Sequence, residues 1–161
     1  MSDLDLGRAL FAAVNNGPMD AQDTQEAISL VNRGAALQMC NMERVTTLMC
    51  ACAGGHTGVV KAMLQSGRPV ALEEQDSHGW TALITAAHRA DAETLRALLQ
   101  AGANPAAQDK MGRDALYYAR GSKDAEKIKV IEDALAARDI VQGATVLRQP
   151  VTVKKPLQYK P

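Results

Sequence analysis

Residues 79–105 read Gly79-Trp80-Thr81-Ala82-Leu83-Ile84-Thr85-Ala86-Ala87-His88-Arg89-Ala90-Asp91-Ala92-Glu93-Thr94-Leu95-Arg96-Ala97-Leu98-Leu99-Gln100-Ala101-Gly102-Ala103-Asn104-Pro105. Thr81 opens a short apolar run, and its hydroxyl suits a helix N-cap. Leu95, Leu98 and Leu99 then fall at helical spacing. Gly102 follows them where a helix commonly stops with a residue at positive φ. The same marks recur on either side. Thr46-Thr47-Leu48-Met49 lies 35 residues before Thr81-Ala82-Leu83-Ile84, and Asp114-Ala115-Leu116-Tyr117 lies 33 after it. Gln65-Ser66-Gly67 precedes Gln100-Ala101-Gly102 by 35 residues, and Gly34 precedes Gly67 by 33. Val59, Val60, Met63 and Leu64 supply the matching helical stripe. Each unit therefore reads as short helix, tight turn, second helix, Gly stop and a polar stretch of roughly ten residues. Two such helices cannot bury their apolar faces alone, so the units must stack.

The stretch Gly79 to Pro105 resembles an ankyrin repeat, and Thr46-Thr47-Leu48-Met49-Cys50-Ala51 … Gly55-His56 … Val59-Val60-Lys61 … Leu64 … Gly67 is a second copy. The resemblance runs from about Leu4 to Arg138 and implies an all-α solenoid of helix-turn-helix units with finger loops. Four units are expected, near 4–36, 37–71, 72–105 and 106–138. The family's Thr-Pro-Leu-His start appears here as TTLM, TALI and DALY, so Pro is missing from the first turn. With the His missing as well, Met49, Ile84 and Tyr117 are expected to replace polar bracing by packing. In the last unit Glu126, Lys127, Lys129, Glu132 and Asp133 suit a solvent-facing cap, with Ile128, Ile131 and Leu135 turned inward.

Composition agrees. The chain has 161 residues, 47% of them hydrophobic, with 18 basic against 18 acidic residues, which suits one short array and excludes wholesale disorder. Its 28 alanines favour closely spaced helices. Zero net charge argues against a general nucleic-acid or membrane-surface binder. The charge is divided, however: residues 1–139 carry 14 bases and 18 acids, and residues 140–161 carry four bases and no acid. That last segment has Pro150, Pro156 and Pro161, so 139–161 is expected to be a basic, extended tail. The three cysteines form an odd, sparse set that fits a reducing compartment. The acidic start MSDLDLG has no apolar signal run, and a cytoplasmic protein is expected.

Catalytic signatures are missing from the sequence. It contains no Gly-x-Ser-x-Gly elbow, phosphate-binding Gly loop or His-Glu-x-x-His. His56 stands at the Gly-His turn before a second helix, while His78 and His88 lack a Cys or acidic partner for a metal. Cys50 and Cys52 are two apart on a helix and face different ways. The expected protein is no enzyme and has no cofactor, metal or small-molecule substrate.

Ankyrin-like arrays bind other proteins through a concave face made of finger loops and the exposed ends of the inner helices. Carried onto this sequence, that pattern gives Met39 and Met42 on the first finger. The second contributes Ser77, His78 and Trp80, and the third Lys110, Met111 and Arg113. His88 and Arg89 stand at the end of an inner helix. Trp80 is the expected anchor, since a half-exposed Trp is a frequent hot spot. The second finger is two residues longer and is expected to protrude. The function expected is a monomeric protein-binding module acting as an inhibitor or adaptor. The alternatives are a tail read as a linear motif, a tail touching nucleic acid or membrane through its cations, and an accessory subunit of an enzyme.

Overall fold

Three polar residues start three of the helices. Thr46 Oγ1 accepts a hydrogen bond from the Met49 N–H at 3.2 Å, Thr81 Oγ1 from Ile84 at 3.3 Å, and an Asp114 carboxylate oxygen from Tyr117 at 2.8 Å. Each cap contributes about 1 kcal/mol by satisfying an amide the helix leaves open. The computed structural model describes residues 2–17 and 19–147. Eight helices lie among them: α1 (Asp3–Asn15), α2 (Ala21–Asn32), α3 (Thr47–Ala53), α4 (Thr57–Gln65), α5 (Ala82–Arg89), α6 (Ala92–Gln100), α7 (Ala115–Ser122) and α8 (Ala125–Leu147).

They pair as α1/α2, α3/α4, α5/α6 and α7/α8, and the pairs stack into an inner row (α1, α3, α5, α7) and an outer row (α2, α4, α6, α8). Alanine makes the inner row possible. Ala51, Ala82, Ala86, Ala87, Ala115 and Ala119 are all buried, and their small side chains let neighbouring helices approach closely. Leu48, Leu83, Val59, Val60, Leu95, Leu98 and Ile131 fill the layer between the rows. Cys50 and Cys52 on α3 are buried as well. Burial pushes the Cys50 thiol up to about 11 and raises that of Cys52 as well, so both stay protonated and pack as small apolar groups.

Polar ties cross from unit to unit. The Arg68 guanidinium donates to the Val31 and Ala35 carbonyls at the end of the first unit. Thr57 at the start of α4 bonds Asp91 and Thr94 of the third unit. On the outer row Lys61 pairs with Glu93, and Arg96 with Glu126 at 2.7 Å. These last pairs are exposed and contribute at most about 1 kcal/mol each. His56 is buried just ahead of α4, where desolvation lowers its pKa against the opposing effect of a bond to the Gly17 backbone.

Three expectations are corrected. First, the chain does not turn extended at 139: α8 continues to Leu147. Asp139 to Leu147 contains no proline, and the first residue that forbids a helix is Pro150. The expected tail beyond Leu147 lies outside the described residues. Second, Met49 and Ile84 are buried, but Tyr117 is 57% exposed. Among the described residues α7 packs against α5 and α8, and the polar bracing passes to Tyr118. Third, the two additional residues of the third unit lie ahead of its finger. From Gly67 to Asp76 the chain is two residues longer than from Gly34 to Asn41 or Gly102 to Asp109, while the finger turns themselves are equal in length.

Candidate protein-binding face

A carboxylate or amide oxygen organises each finger. Asn41 Oδ1 accepts from the N–H groups of Glu43 (3.0 Å) and Val45 (2.9 Å). Asp76 Oδ1 accepts from His78 and Trp80, both at 2.8 Å. Asp109 Oδ1 accepts from Met111 (2.8 Å) and Arg113 (3.0 Å). Backbone bonds close the same turns, from Asn41 N–H to the Val45 carbonyl (3.1 Å), Asp76 to Trp80 (3.0 Å) and Asp109 to Arg113 (2.9 Å). The turn needs a residue at positive φ, which is Gly79 (85°) and Gly112 (75°) in two fingers and Arg44 (62°) in the other.

Backbone bonds also join finger to finger. Ser77 N–H donates to the Glu43 carbonyl at 2.8 Å, and Lys110 N–H to the His78 carbonyl at 3.1 Å. A Cβ at Gly79 would come within 2.7 Å of the Lys110 nitrogen, so this approach requires glycine. The finger row is thus held by backbone and by three acceptor side chains. The Met42 and Met111 side chains at the tips are left exposed.

Behind the third finger lies a buried polar group. Tyr118 O–H donates to Asp109 Oδ2 at 2.7 Å, and Arg113 Nε to the same oxygen at 2.9 Å. Burial acts to raise the Asp109 pKa, but the bonds from the Arg113 amide, Tyr118 and the Arg113 guanidinium outweigh it and hold the carboxyl well below its usual range. Burial and the Asp109 carboxylate raise the Tyr118 pKa. The Tyr118 ring carries Trp80 edge-on at 4.8 Å, Trp80 meets His88 at 5.5 Å, and the Arg113 guanidinium lies 5.1 Å from the Tyr118 centroid.

The candidate residues separate by exposure. Met42 and Met111 stand out fully or nearly so, at 103% and 75%. Ser77, His78, His88, Arg89 and Lys110 are exposed, while Met39, Trp80 and Arg113 are half-buried. Met39 stands ahead of the first tip, its carbonyl accepting from the Thr47 N–H at 2.9 Å, so the methionines do not form one even edge. Trp80 sits among the fingers with part of its ring committed to Tyr118 and His88. Among the described residues no three His, Cys, Asp or Glu side chains gather as a metal site would require.

Sequence reasoning passes over Asn41, Asp76 and Asp109, although they carry a signal: each stands five residues before a helix cap, namely Thr46, Thr81 and Asp114. Tyr117 and Tyr118 point about 100° apart on a helix, so the sequence sends one into the packing and the other to solvent, and the fold shows that Tyr118 is the one that meets Asp109.

The chain is 39% identical over 85 residues to Protein HOS4 of Saccharomyces cerevisiae, covering 50% of this chain and 8% of that protein. It is 34% identical over 102 residues to a putative ankyrin repeat-containing protein of Treponema pallidum, covering 63% and 33%. It is 28% identical over 125 residues to ankyrin repeat and SAM domain-containing protein 6 of Mus musculus, covering 76% and 14%. The chain thus matches a third or less of the length of these relatives. A family model described as ankyrin repeats in three copies matches residues 10–109 and 69–134. With four stacked helix pairs and three fingers of one construction, the chain belongs to the ankyrin-repeat family, whose members generally serve as protein-protein interaction scaffolds.

Proposed function

We propose that this protein is a non-catalytic, monomeric binding module that grips another protein along its finger tips and the inner-helix ends beside them. The observation that carries this reading is the separation of duties within each finger. Asn41, Asp76 and Asp109 hold the turns, so Met42, Lys110 and Met111 are exposed without a side-chain bond among the described residues, and the exposed His78 ring meets only Ser77 and Asp76 of its own finger. Exposed apolar tips on a rigid row favour association, because little conformational entropy is lost on binding. Trp80, firmly seated but half-open, is the expected hot spot. Binding in this manner suits an inhibitor or adaptor in the cytoplasm, since the module supplies surface and no chemistry.

The test is affinity capture with the wild type beside a Trp80→Ala, Met111→Ala double variant and an outer-row control, Lys129→Ala. The control should retain the partners of the wild type, and the double variant should lose them. Equal capture by all three would rule the face out.

A further inference from the structure

The finger face changes charge along its length. On the second and third fingers and at the end of α5 it carries His78, His88, Arg89, Lys110 and Arg113. Glu43 on the first finger is exposed, but the carboxylates on and beside these two fingers are turned to internal tasks. Asp76 and Asp109 each accept two backbone amides of their own fingers, and Asp109 also takes Arg113 and Tyr118. Asp91 and Asp114 cap α6 and α7, Glu73 accepts from the Asn104 amide at 2.8 Å, and Glu74 pairs with Arg44. Arg89 and Lys110 are exposed and form no ion pair among the described residues, whereas Arg44, Lys61, Arg96 and Arg120 each have an acidic partner. Arg89 complements the C-terminal end of the α5 dipole, but that accounts for its position and leaves its guanidinium open. The basic residues surround Trp80: His88 lies against its ring, Tyr118 and Arg113 lie behind it, and the Lys110 amide is bonded to the finger that carries it.

We propose that this half of the face takes an acidic peptide segment of the partner, with one apolar residue seated against Trp80 and carboxylates meeting Arg89 and Lys110. The proposal rests on the concave-face reading above and adds the chemistry of the partner. Two cations unpaired among the described residues, Arg89 and Lys110, near an aromatic anchor give complementary charge at the rim and apolar contact at the centre, which sets both encounter rate and specificity. Residues 1–139 carry a net −4, so a long nucleic acid is repelled by the remainder of the array while a short acidic segment meets only the patch.

Random short peptides displayed on phage and selected on the full chain test this directly. The selected pool should be enriched in Asp and Glu around one apolar residue. Its leading peptides should lose about 10-fold in affinity for an Arg89→Glu, Lys110→Glu double variant and a similar factor for Trp80→Ala. They should keep their affinity for Lys129→Glu, and a mixed-sequence single-stranded oligonucleotide should not displace them. A neutral or basic pool that still depends on Trp80 would sink the acidic partner and leave the face standing. A pool indifferent to both variants, displacement by the oligonucleotide, or no peptide above background would overturn the proposal. Circular dichroism of each variant confirms that a loss is not unfolding.

Discussion

The first and third fingers have one backbone and two chemistries. Both close with the same bonds, and both carry a bridge at the base, Cys40 to Thr46 and Gln108 to Asp114. In the first, a neutral amide on Asn41 is the acceptor, Arg44 holds the strained φ, and the side chains around the turn are exposed. In the third, a buried carboxylate takes two amides, a phenol and a guanidinium, and glycine holds the turn. The difference shows that the turn needs only one oxygen acceptor and one residue at positive φ. The charge of Asp109 does something further, locking Tyr118 and through it the ring of Trp80.

The largest expected difference comes from deleting the acceptors. Asp109→Ala strands a phenol, a guanidinium and two amides, and should cost about 3 kcal/mol in urea melts. Asn41→Ala, in an exposed turn, should cost about 1 kcal/mol. Similar losses would mean that Asp109 is no more than a turn residue.

Acid separates the fingers next. The Asp109 pKa is lowered in the fold, so its stabilisation is fully present above the ordinary carboxylate value near 4 and is lost as pH falls through the depressed folded value. Asp109→Asn keeps an oxygen for the turn, as Asn41 does, but removes the charge. The variant should be less stable at neutral pH and converge on the wild type as the pH drops below about 4. A constant gap across the titration would contradict the assignment.

Tyr118→Phe should cost about 1–2 kcal/mol through the lost bond to a carboxylate, and should alter Trp80 fluorescence, whereas Tyr117→Phe should do neither. The smallest effect is a gain. Arg44→Gly relieves the left-handed strain but frees the unfolded chain and gives up the exposed pair with Glu74, so stability should rise by about 0.5 kcal/mol. A loss of stability would mean that the first turn is not strained.

Much of this is legible in the sequence. The recurrence of Thr46, Thr81 and Asp114, together with Gly34, Gly67 and Gly102, carries the fold, because a stacked unit must repeat its caps and stops to repeat its geometry. The end units were less legible, since a unit with one neighbour keeps only half of those constraints. Tyr117 occupies the register of Met49 and Ile84 yet faces outward, and α8 continues beyond 139 to Leu147. At the face, repeat position located the fingers, but the division between turn-holding and free residues depends on hydrogen bonds that no apolar period records.

The central claim is that the tips are free because the turns are held from within. The melting temperature of a Met42→Ala, His78→Ala, Met111→Ala triple variant tests it most directly. The expected midpoint lies within about 2 °C of the wild type. A drop of about 8 °C or more would show that the tip side chains hold the fold themselves and would contradict the account.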